Sequence, residues 1–295
     1  MSVFDYAVSH MPVDTVIVTP MMERVLEETL TARGQMTGAL WSGAAGAGKS
    51  TTARWLQEQI NAACDPRVEG HFRCVYWETP PFSGKHHDAG ILLSGLYLAV
   101  THHPMDPGAA RGRGVEGRVG LVLAAMRKRN VGLLIVDEAQ RLTEPALDAL
   151  VLLGNQSTGE RSLHLTTVLV GSGKLHSKLA KSPHLNRRFR TRIPFKDLGR
   201  DEIAQFARIL YPHCFDGEVP EDILDFLSKW TAGNPAELVL LLGRAEYLLK
   251  RAPTEFLTLA LLRGAVLHQR AGVKGAQDLE DRGYAPAFGK KAVGK

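Results

Sequence analysis

The chain has 295 residues, enough for one large hydrophobic core and a smaller second domain. Its hydrophobic fraction of 44% and charged fraction of 23% are typical of globular proteins and exclude wholesale disorder. A formal net charge of +5 permits contact with nucleic acid or an acidic membrane surface without requiring either.

The cysteines and the apolar segments bear on where the protein works. Cys64, Cys74 and Cys214 have no paired spacing, so the sequence predicts reduced thiols rather than a disulfide framework or a zinc site. The N-terminus has no basic start followed by an apolar run, so no signal peptide is predicted. The most apolar stretch, 91–100, has about half the length that spans a bilayer. We therefore expect a cytoplasmic protein with no membrane partner.

Short apolar segments alternate with helical patterns through the first 200 residues. Residues 1–20 are expected to be an extended lead-in, followed by an α/β domain over 21–199. The predicted strands are 37–41, 72–77, 131–136 and 165–170. The predicted helices are 22–32, one that begins at Lys49, 91–100, 119–128 and 143–153. Unbroken apolar strands that alternate with helices indicate a parallel sheet covered by helices on both faces.

Only helical periodicity follows residue 200. The predicted helices are 201–210, 221–229, 235–250 and 255–269, and the sequence Asn-Pro-Ala-Glu at 234–237 favours a helix start. We predict a small all-helical lid domain over 200–270 and a flexible basic tail over 271–295. The predicted fold class is thus α/β, a parallel sheet flanked by helices with a helical lid.

A phosphate-binding pattern follows the first predicted strand. Residues 43–50 read Gly-Ala-Ala-Gly-Ala-Gly-Lys-Ser and fit G-x-x-x-x-G-K-[ST] at every position. The glycines let backbone N–H groups face the phosphates, and the following helix points its positive end there. Lys49 reaches the β and γ phosphates of ATP, and the Ser50 hydroxyl ligates Mg²⁺. The predicted nucleotide contacts are Gly43, Ala44, Gly46, Ala47, Gly48, Lys49, Ser50 and Thr51.

Two adjacent acids end the third predicted strand. Asp137 and Glu138 follow the apolar run 131–136, at the strand end where ligands lie in open α/β sheets. Asp137 can hold Mg²⁺ through water, and Glu138 can orient and polarise the attacking water. Together with the phosphate loop, the pair predicts ATP hydrolysis or an ATP-gated switch. Ser172 ends the next strand, where a polar residue either touches the γ phosphate or serves as a simple turn residue.

A basic segment follows. From Gly171 to Lys196 there is no Asp or Glu but eight Lys and Arg: Lys174, Lys178, Lys181, Arg187, Arg188, Arg190, Arg192 and Lys196. One interpretation is a solvated basic face. The functional interpretation is that one arginine, for which we favour Arg188, acts as a finger on ATP held by a neighbouring subunit. The other cations would then contact DNA phosphates.

The phosphate loop, the Asp-Glu pair, the Val-Gly-Ser strand end and the segment Arg-Arg-Phe-Arg at 187–190 resemble AAA+ ATPases of the initiator clade. Within that clade the chain is most similar to the transposition regulators TnsC, TniB and MuB. The segments that carry this similarity are 15–20, 137–142 and 183–189.

This resemblance implies a bacterial protein that forms an ATP-driven ring or helical filament on double-stranded DNA. Its further partners would be a transposase and a target-selection protein. The excursion 80–118 would face DNA, with Lys85, Arg111, Arg113 and Arg118 as phosphate contacts, although such a loop is also compatible with a solvated one. Lys290, Lys291 and Lys295 of the tail would dock a transposase or belong to an unstructured end.

One position departs from the AAA+ pattern. AAA+ lids usually carry Gly-x-x-Arg, whose arginine senses the γ phosphate, but Gly233 is followed by Ala236 at that position. Either the lid senses nucleotide differently or Arg244 substitutes for it. Two alternatives remain beside the transposition regulator. One is a secretion or signalling ATPase similar to ExeA, which acts on protein partners. The other is a replication-initiator ATPase, for which 200–270 is short if it must hold both a lid and a winged helix.

Overall fold

The computed structural model describes residues 16–65, 67–68, 70–81, 88–110, 114–157 and 164–267. The chain divides into two compact units, Val18–Lys196 and a helical unit that begins at Asp197. No helix among the described residues is long and apolar enough to cross a membrane.

A five-stranded parallel sheet forms the centre of the first unit. Its strands are β1 (Ala39–Ser42), β2 (Arg73–Glu78), β3 (Val131–Asp137), β4 (Thr166–Gly171) and β5 (Thr191–Pro194), in the spatial order β2-β3-β4-β1-β5. In register, Val136 lies beside Leu169 and Trp41 beside Val170. Because every pair is parallel, the ends of β1, β3 and β4 meet at one edge, which we call the carboxyl edge.

Helices cover both faces of this sheet. They are α1 (Pro20–Gly34), α2 (Lys49–Ala63), α3 (Ala89–Thr101), α4 (Pro107–Ala110), α5 (Val115–Lys128), α6 (Glu144–Ser157), α7 (Gly173–Ala180) and α8 (Pro183–Arg188), with a 3₁₀ turn at Ala139–Arg141. Successive residues of β3 enter opposite cores. Leu134 and Val136 pack with α3, α5 and α6, whereas Leu133 and Ile135 pack with α1 and α2. The predicted parallel sheet with helices on both faces is confirmed.

Several element boundaries differ from the sequence predictions. The first helix begins at Pro20 because the Thr19 hydroxyl caps it, accepting from the Met22 N–H at 3.2 Å. The helix predicted over 119–128 begins at Val115. The negative charge of Glu116 in its first turn interacts favourably with the positive end of the helix dipole. β5 and the two short helices α7 and α8 were missed. β5 is a four-residue edge strand that contains an arginine and ends in proline, a pattern of little strand signal.

The second unit is helical. It contains α9 (Arg200–Leu210), a 3₁₀ turn (Pro212–Cys214), α10 (Glu221–Thr231), α11 (Pro235–Leu249) and a last helix, α12, over 259–267. The Asn234 side chain caps α11 by accepting from the N–H groups of Ala236 at 3.1 Å and Glu237 at 3.3 Å. The helix predicted over 255–269 thus begins later, at residue 259.

Gly38, which immediately precedes β1, has no room for a side chain. A Cβ there would lie 2.5 Å from Cδ1 of Phe189, a ring that is 1% exposed. Replacing Gly38 with Ala should therefore lower the free energy of unfolding by about 1–3 kcal/mol. Urea denaturation measures this change, and Gly34→Ala is the control because nothing lies within 4 Å of a Cβ at that position. Equal midpoints for the two variants would contradict the packing described.

Candidate functional site

The loop between β1 and α2 has the shape that phosphate binding requires. Gly46 and Gly48 have φ angles of 78° and 84°, in the left-handed region that favours glycine. Lys49 is the first residue of α2, and its Nζ donates to the carbonyls of Gly43 at 3.0 Å and Ala44 at 2.6 Å. The loop therefore curls around its own lysine at the positive end of the helix.

Two opposing effects act on the pKa of Lys49. Burial is the largest effect and lowers the pKa of the ammonium group, while the carboxylates of Asp137 and Glu138 raise it. A partly desolvated cation attracts a phosphate more strongly than one in bulk water, because the effective dielectric constant is lower. The arrangement thus favours an anion in front of the loop.

Asp137 joins the phosphate loop to β3. It is fully buried, and its Oδ2 accepts from the Ser50 hydroxyl at 2.5 Å and from the Tyr76 hydroxyl at 2.9 Å. Its Oδ1 accepts from the Glu138 N–H at 2.7 Å. Burial, and then the neighbouring carboxylate of Asp137, raises the pKa of Tyr76, so its hydroxyl remains a donor.

The oxygen atoms at this point suit Mg²⁺. A hydroxyl and a carboxylate converge, and Mg²⁺ is usually bound by one or two such groups plus phosphate oxygens and water. Among the described residues no cluster of three or more His, Cys, Asp or Glu side chains could hold a metal by itself. A magnesium ion held by Ser50 and Asp137 would therefore complete its shell with nucleotide and water.

Glu138 has an unusual backbone and a restrained carboxylate. Its φ angle of 53° lies in the left-handed region, which non-glycine residues rarely adopt. Its Oε2 accepts from Gln140 Nε2 at 2.8 Å and forms an ion pair with Arg141 Nη2 at 3.0 Å. Arg141 also donates to the Thr79 carbonyl at 2.7 Å. The side chain of the predicted base is thus held by the turn that follows it.

Ser172 and Arg188, the other predicted catalytic residues, lie at opposite edges of the sheet. The Ser172 N–H donates to Gln140 Oε1 at 3.3 Å at the carboxyl edge. The Arg188 carbonyl accepts from the Gly38 N–H at 2.8 Å, and Gly38 precedes β1, whereas the phosphate loop follows β1. The structure therefore places Lys49, Ser50, Asp137, Glu138 and Ser172 at one edge and Arg188 at the other.

The Arg188 guanidinium is partly buried. A Cβ at Gly154 would lie 2.5 Å from its Nη2, and its Nη1 donates weakly to the Met36 carbonyl at 3.4 Å. Burial lowers its pKa from the ordinary value for arginine. Its neighbours Arg187 and Arg190 are exposed.

Most of the predicted DNA contacts cannot be placed. Lys85, Arg111 and Arg113, like the tail lysines, lie outside the described residues. Arg118 is half-buried on α5, and a Cβ at Gly90 of α3 would lie 2.9 Å from its Nη1. In the helical unit, burial lowers the pKa of Arg244 on α11.

Sequence reasoning missed four residues of the site: Tyr76, Thr79, Gln140 and Arg141. Gln140 and Arg141 lie two and three positions after Glu138, so their closeness to the acid pair in sequence is a usable signal. The role of Tyr76 becomes visible only from the strand register, in which Glu78 of β2 lies beside Asp137 of β3. That register places the polar end of β2 next to the site.

The phosphate loop after β1, the acid pair after β3 and the strand order β2-β3-β4-β1-β5 are those of a P-loop core of the AAA+ type. Residues 33–179 match the sequence profile of a family described as "AAA domain".

Solved structures share the fold at low identity. The ORC1 protein of Aeropyrum pernix, in complex with DNA, is 15% identical with a TM-score of 0.59, covering 85% of this chain and 65% of that one. The ORC2 protein of the same organism, in ADPNP–ADP complexes, is 18% identical with a TM-score of 0.63, covering 94% and 74%. Cdc6p of Pyrobaculum aerophilum is 18% identical with a TM-score of 0.64, covering 86% and 68%.

The chain thus spans 65% to 74% of the length of the two ORC proteins. No curated protein matches the sequence.

Proposed function

We propose that this protein is an ATPase that binds ATP with Mg²⁺, oligomerises on double-stranded DNA and regulates DNA transactions through its nucleotide state. The observation that carries the proposal is the convergence of the Ser50 hydroxyl and the buried Asp137 carboxylate, 2.5 Å apart, beside the Lys49 loop. A phosphate loop and an acid pair in this arrangement serve nucleotide hydrolysis in P-loop enzymes.

Each group of the site has a part in hydrolysis. The loop N–H groups and Lys49 bind the phosphates, so Lys49 exchanges its bonds to the Gly43 and Ala44 carbonyls for bonds to phosphate oxygens. Ser50 and Asp137 would hold Mg²⁺, which would neutralise phosphate charge during hydrolysis. Glu138 orients a water for attack and takes its proton. Ser172, at the end of β4, contacts the γ phosphate or this water.

Surface charge supports DNA as a partner. Lys174, Lys181, Arg187 and Arg190 on or beside α7 and α8 are exposed, and they form no ion pair with other described residues. Free cations on one segment suit phosphates, and such binding weakens steeply with salt. The ORC1 neighbour was solved in complex with DNA, which agrees with this proposal.

Two finer functions fit this proposal. The first is a regulator of transposition that marks a target on DNA and recruits or activates a transposase, as the similarity of 137–142 and 183–189 to TnsC, TniB and MuB implies. The second is a replication-initiator-like ATPase, which the shared fold with ORC1 and Cdc6p favours. A regulator of transposition should assemble on any duplex, whereas an initiator should prefer particular sequences.

The test is DNA binding by the wild type with ATP, ADP or no nucleotide, on random duplex, across a salt series. ATP should produce large assemblies that salt dissolves, and Lys49→Ala should abolish the gain that ATP gives. Lys128→Ala on the exposed end of α5 removes the same charge and should behave as the wild type.

Normal ATP binding without any DNA binding at low salt would overturn the DNA part of the proposal. It would instead favour a protein client, as expected for an ExeA-like ATPase. Assembly confined to particular sequences would favour the initiator.

A further inference from the structure

We propose that Gln140 is a positioning residue that couples the Glu138 carboxylate to the carboxyl end of β4; this rests on the proposed ATP hydrolysis. One face of the Gln140 amide donates from Nε2 to Glu138 Oε2 at 2.8 Å. The other face accepts at Oε1 from the Ser172 N–H at 3.3 Å. Gln140 therefore links Glu138, the proposed base, to Ser172, the predicted γ-phosphate contact at the end of β4.

The chemistry of both partners requires an amide at this position. A carboxylate only accepts hydrogen bonds, and a backbone N–H only donates. A glutamine serves both partners at once, whereas glutamate would repel Glu138 and methionine of similar length would satisfy neither. The orientation of the amide is thus fixed by its two neighbours.

The packing leaves room for this side chain and for little else. A Cβ at Gly171 would lie 2.3 Å from Gln140 Oε1, so only glycine lets the amide reach the end of β4. Gly171 has no positive φ, so its backbone conformation accepts alanine. The added Cβ would displace the amide and press on Cδ2 of the buried Leu175, which would lie 3.0 Å away.

The turn that carries Gln140 is anchored independently. Lys178 Nζ donates to the Gln140 carbonyl at 3.1 Å and to the Leu142 carbonyl. Arg141 anchors the same turn to the Thr79 carbonyl. With its backbone held from both sides, Gln140 transmits a displacement of β4 to Glu138 instead of absorbing it.

This role predicts a loss in kcat without a loss in ATP affinity. Gln140→Ala, Gln140→Met and Gly171→Ala should each lower kcat about 10- to 100-fold. The reason is that a displacement of about 1 Å in a catalytic group can lower the rate by such factors. The Kd for ATP, measured with a fluorescent ATP analogue, should change less than about two-fold, since no residue of the phosphate loop is altered. Gln156→Ala, an exposed glutamine on α6, is the matched control.

A double-mutant cycle separates positioning from general damage. If Gly171→Ala lowers kcat by displacing Gln140, it should lower kcat no further in a chain that already carries Gln140→Ala. The double variant Gln140→Ala with Gly171→Ala should then have the kcat of Gln140→Ala alone. Each variant should keep the wild-type thermal unfolding midpoint to within a few degrees.

The outcomes are distinct. Wild-type kcat in the Gln140 and Gly171 variants, or multiplicative losses in the double variant, would overturn this inference while hydrolysis by the wild type stands. A wild type that hydrolyses no ATP, with or without DNA, would overturn the proposed function and this inference with it.

Discussion

Replacing Glu138 with Gln should lower kcat for ATP hydrolysis by about 10²- to 10⁴-fold while ATP still binds. Gln keeps the length of the side chain and its bonding capacity toward Arg141 but cannot take a proton from water. The change alters neither the phosphate loop with Lys49 nor the hydrogen bond from Ser50 to Asp137. Steady-state phosphate release gives kcat, and equilibrium titration with a fluorescent ATP analogue gives affinity.

The Glu138→Gln variant should also accumulate on DNA. Because ATP stays bound and unhydrolysed, the assemblies that ATP promotes should persist longer than those of the wild type. Glu27→Gln, an exposed carboxylate on α1, removes the same charge and should change neither quantity. Hydrolysis at the wild-type rate in Glu138→Gln would show that another group activates the water.

Replacing Arg188 with Ala should lower the ATPase activity of the assembled protein by about 10³-fold or more, the size of effect that an arginine finger has in related chemistry. The reason lies in the geometry of one chain. Arg188 lies at the amino end of β1 and the phosphate loop at its carboxyl end, so Arg188 cannot serve its own nucleotide. It would act on ATP bound by the next subunit.

Mixing two inactive variants tests this directly. Arg188→Ala keeps an intact phosphate loop, and Lys49→Ala keeps an intact finger. Mixed oligomers should therefore recover part of the ATPase activity, since some interfaces combine the intact loop with the intact finger.

The Arg187→Ala variant removes an exposed neighbour that we assign to DNA, so it should weaken DNA binding at high salt. Once assembled at low salt, it should retain ATPase activity without mixing. If mixing restores nothing and Arg187→Ala is as inactive as Arg188→Ala, the finger has been assigned to the wrong residue. Activity of Arg188→Ala alone at the wild-type rate would exclude a role for Arg188 in hydrolysis.

The sequence predicts best those elements whose residues form a local pattern that few other structures require. The unbroken apolar run 131–136 predicts a strand because strands of a parallel sheet are buried on both faces, and every residue of this strand is buried. The phosphate loop was identified because its glycines and Lys49 are required together. β5 was missed because its four residues gain their strand conformation from pairing with β1 rather than from their own preferences.

The gaps in the predicted site have a related cause. Gln140 is an ordinary polar residue in a turn until the structure shows that Gly171, 31 positions later, makes room for it. Tyr76 acquires its role from the neighbour across the sheet. Such roles depend on tertiary proximity, which no local pattern encodes.

β1 is only four residues long, and both of its ends matter. At about 3.3 Å per residue, it separates the phosphate loop from the segment that carries Arg188 by roughly 13 Å along the strand direction. A strand in the middle of a sheet barely stretches, so this span behaves as a fixed spacer. In an oligomer built through Arg188, the step from one nucleotide to the next is then set by the sheet itself. A change in the pitch of a filament or in the opening of a ring would then have to leave this span unchanged.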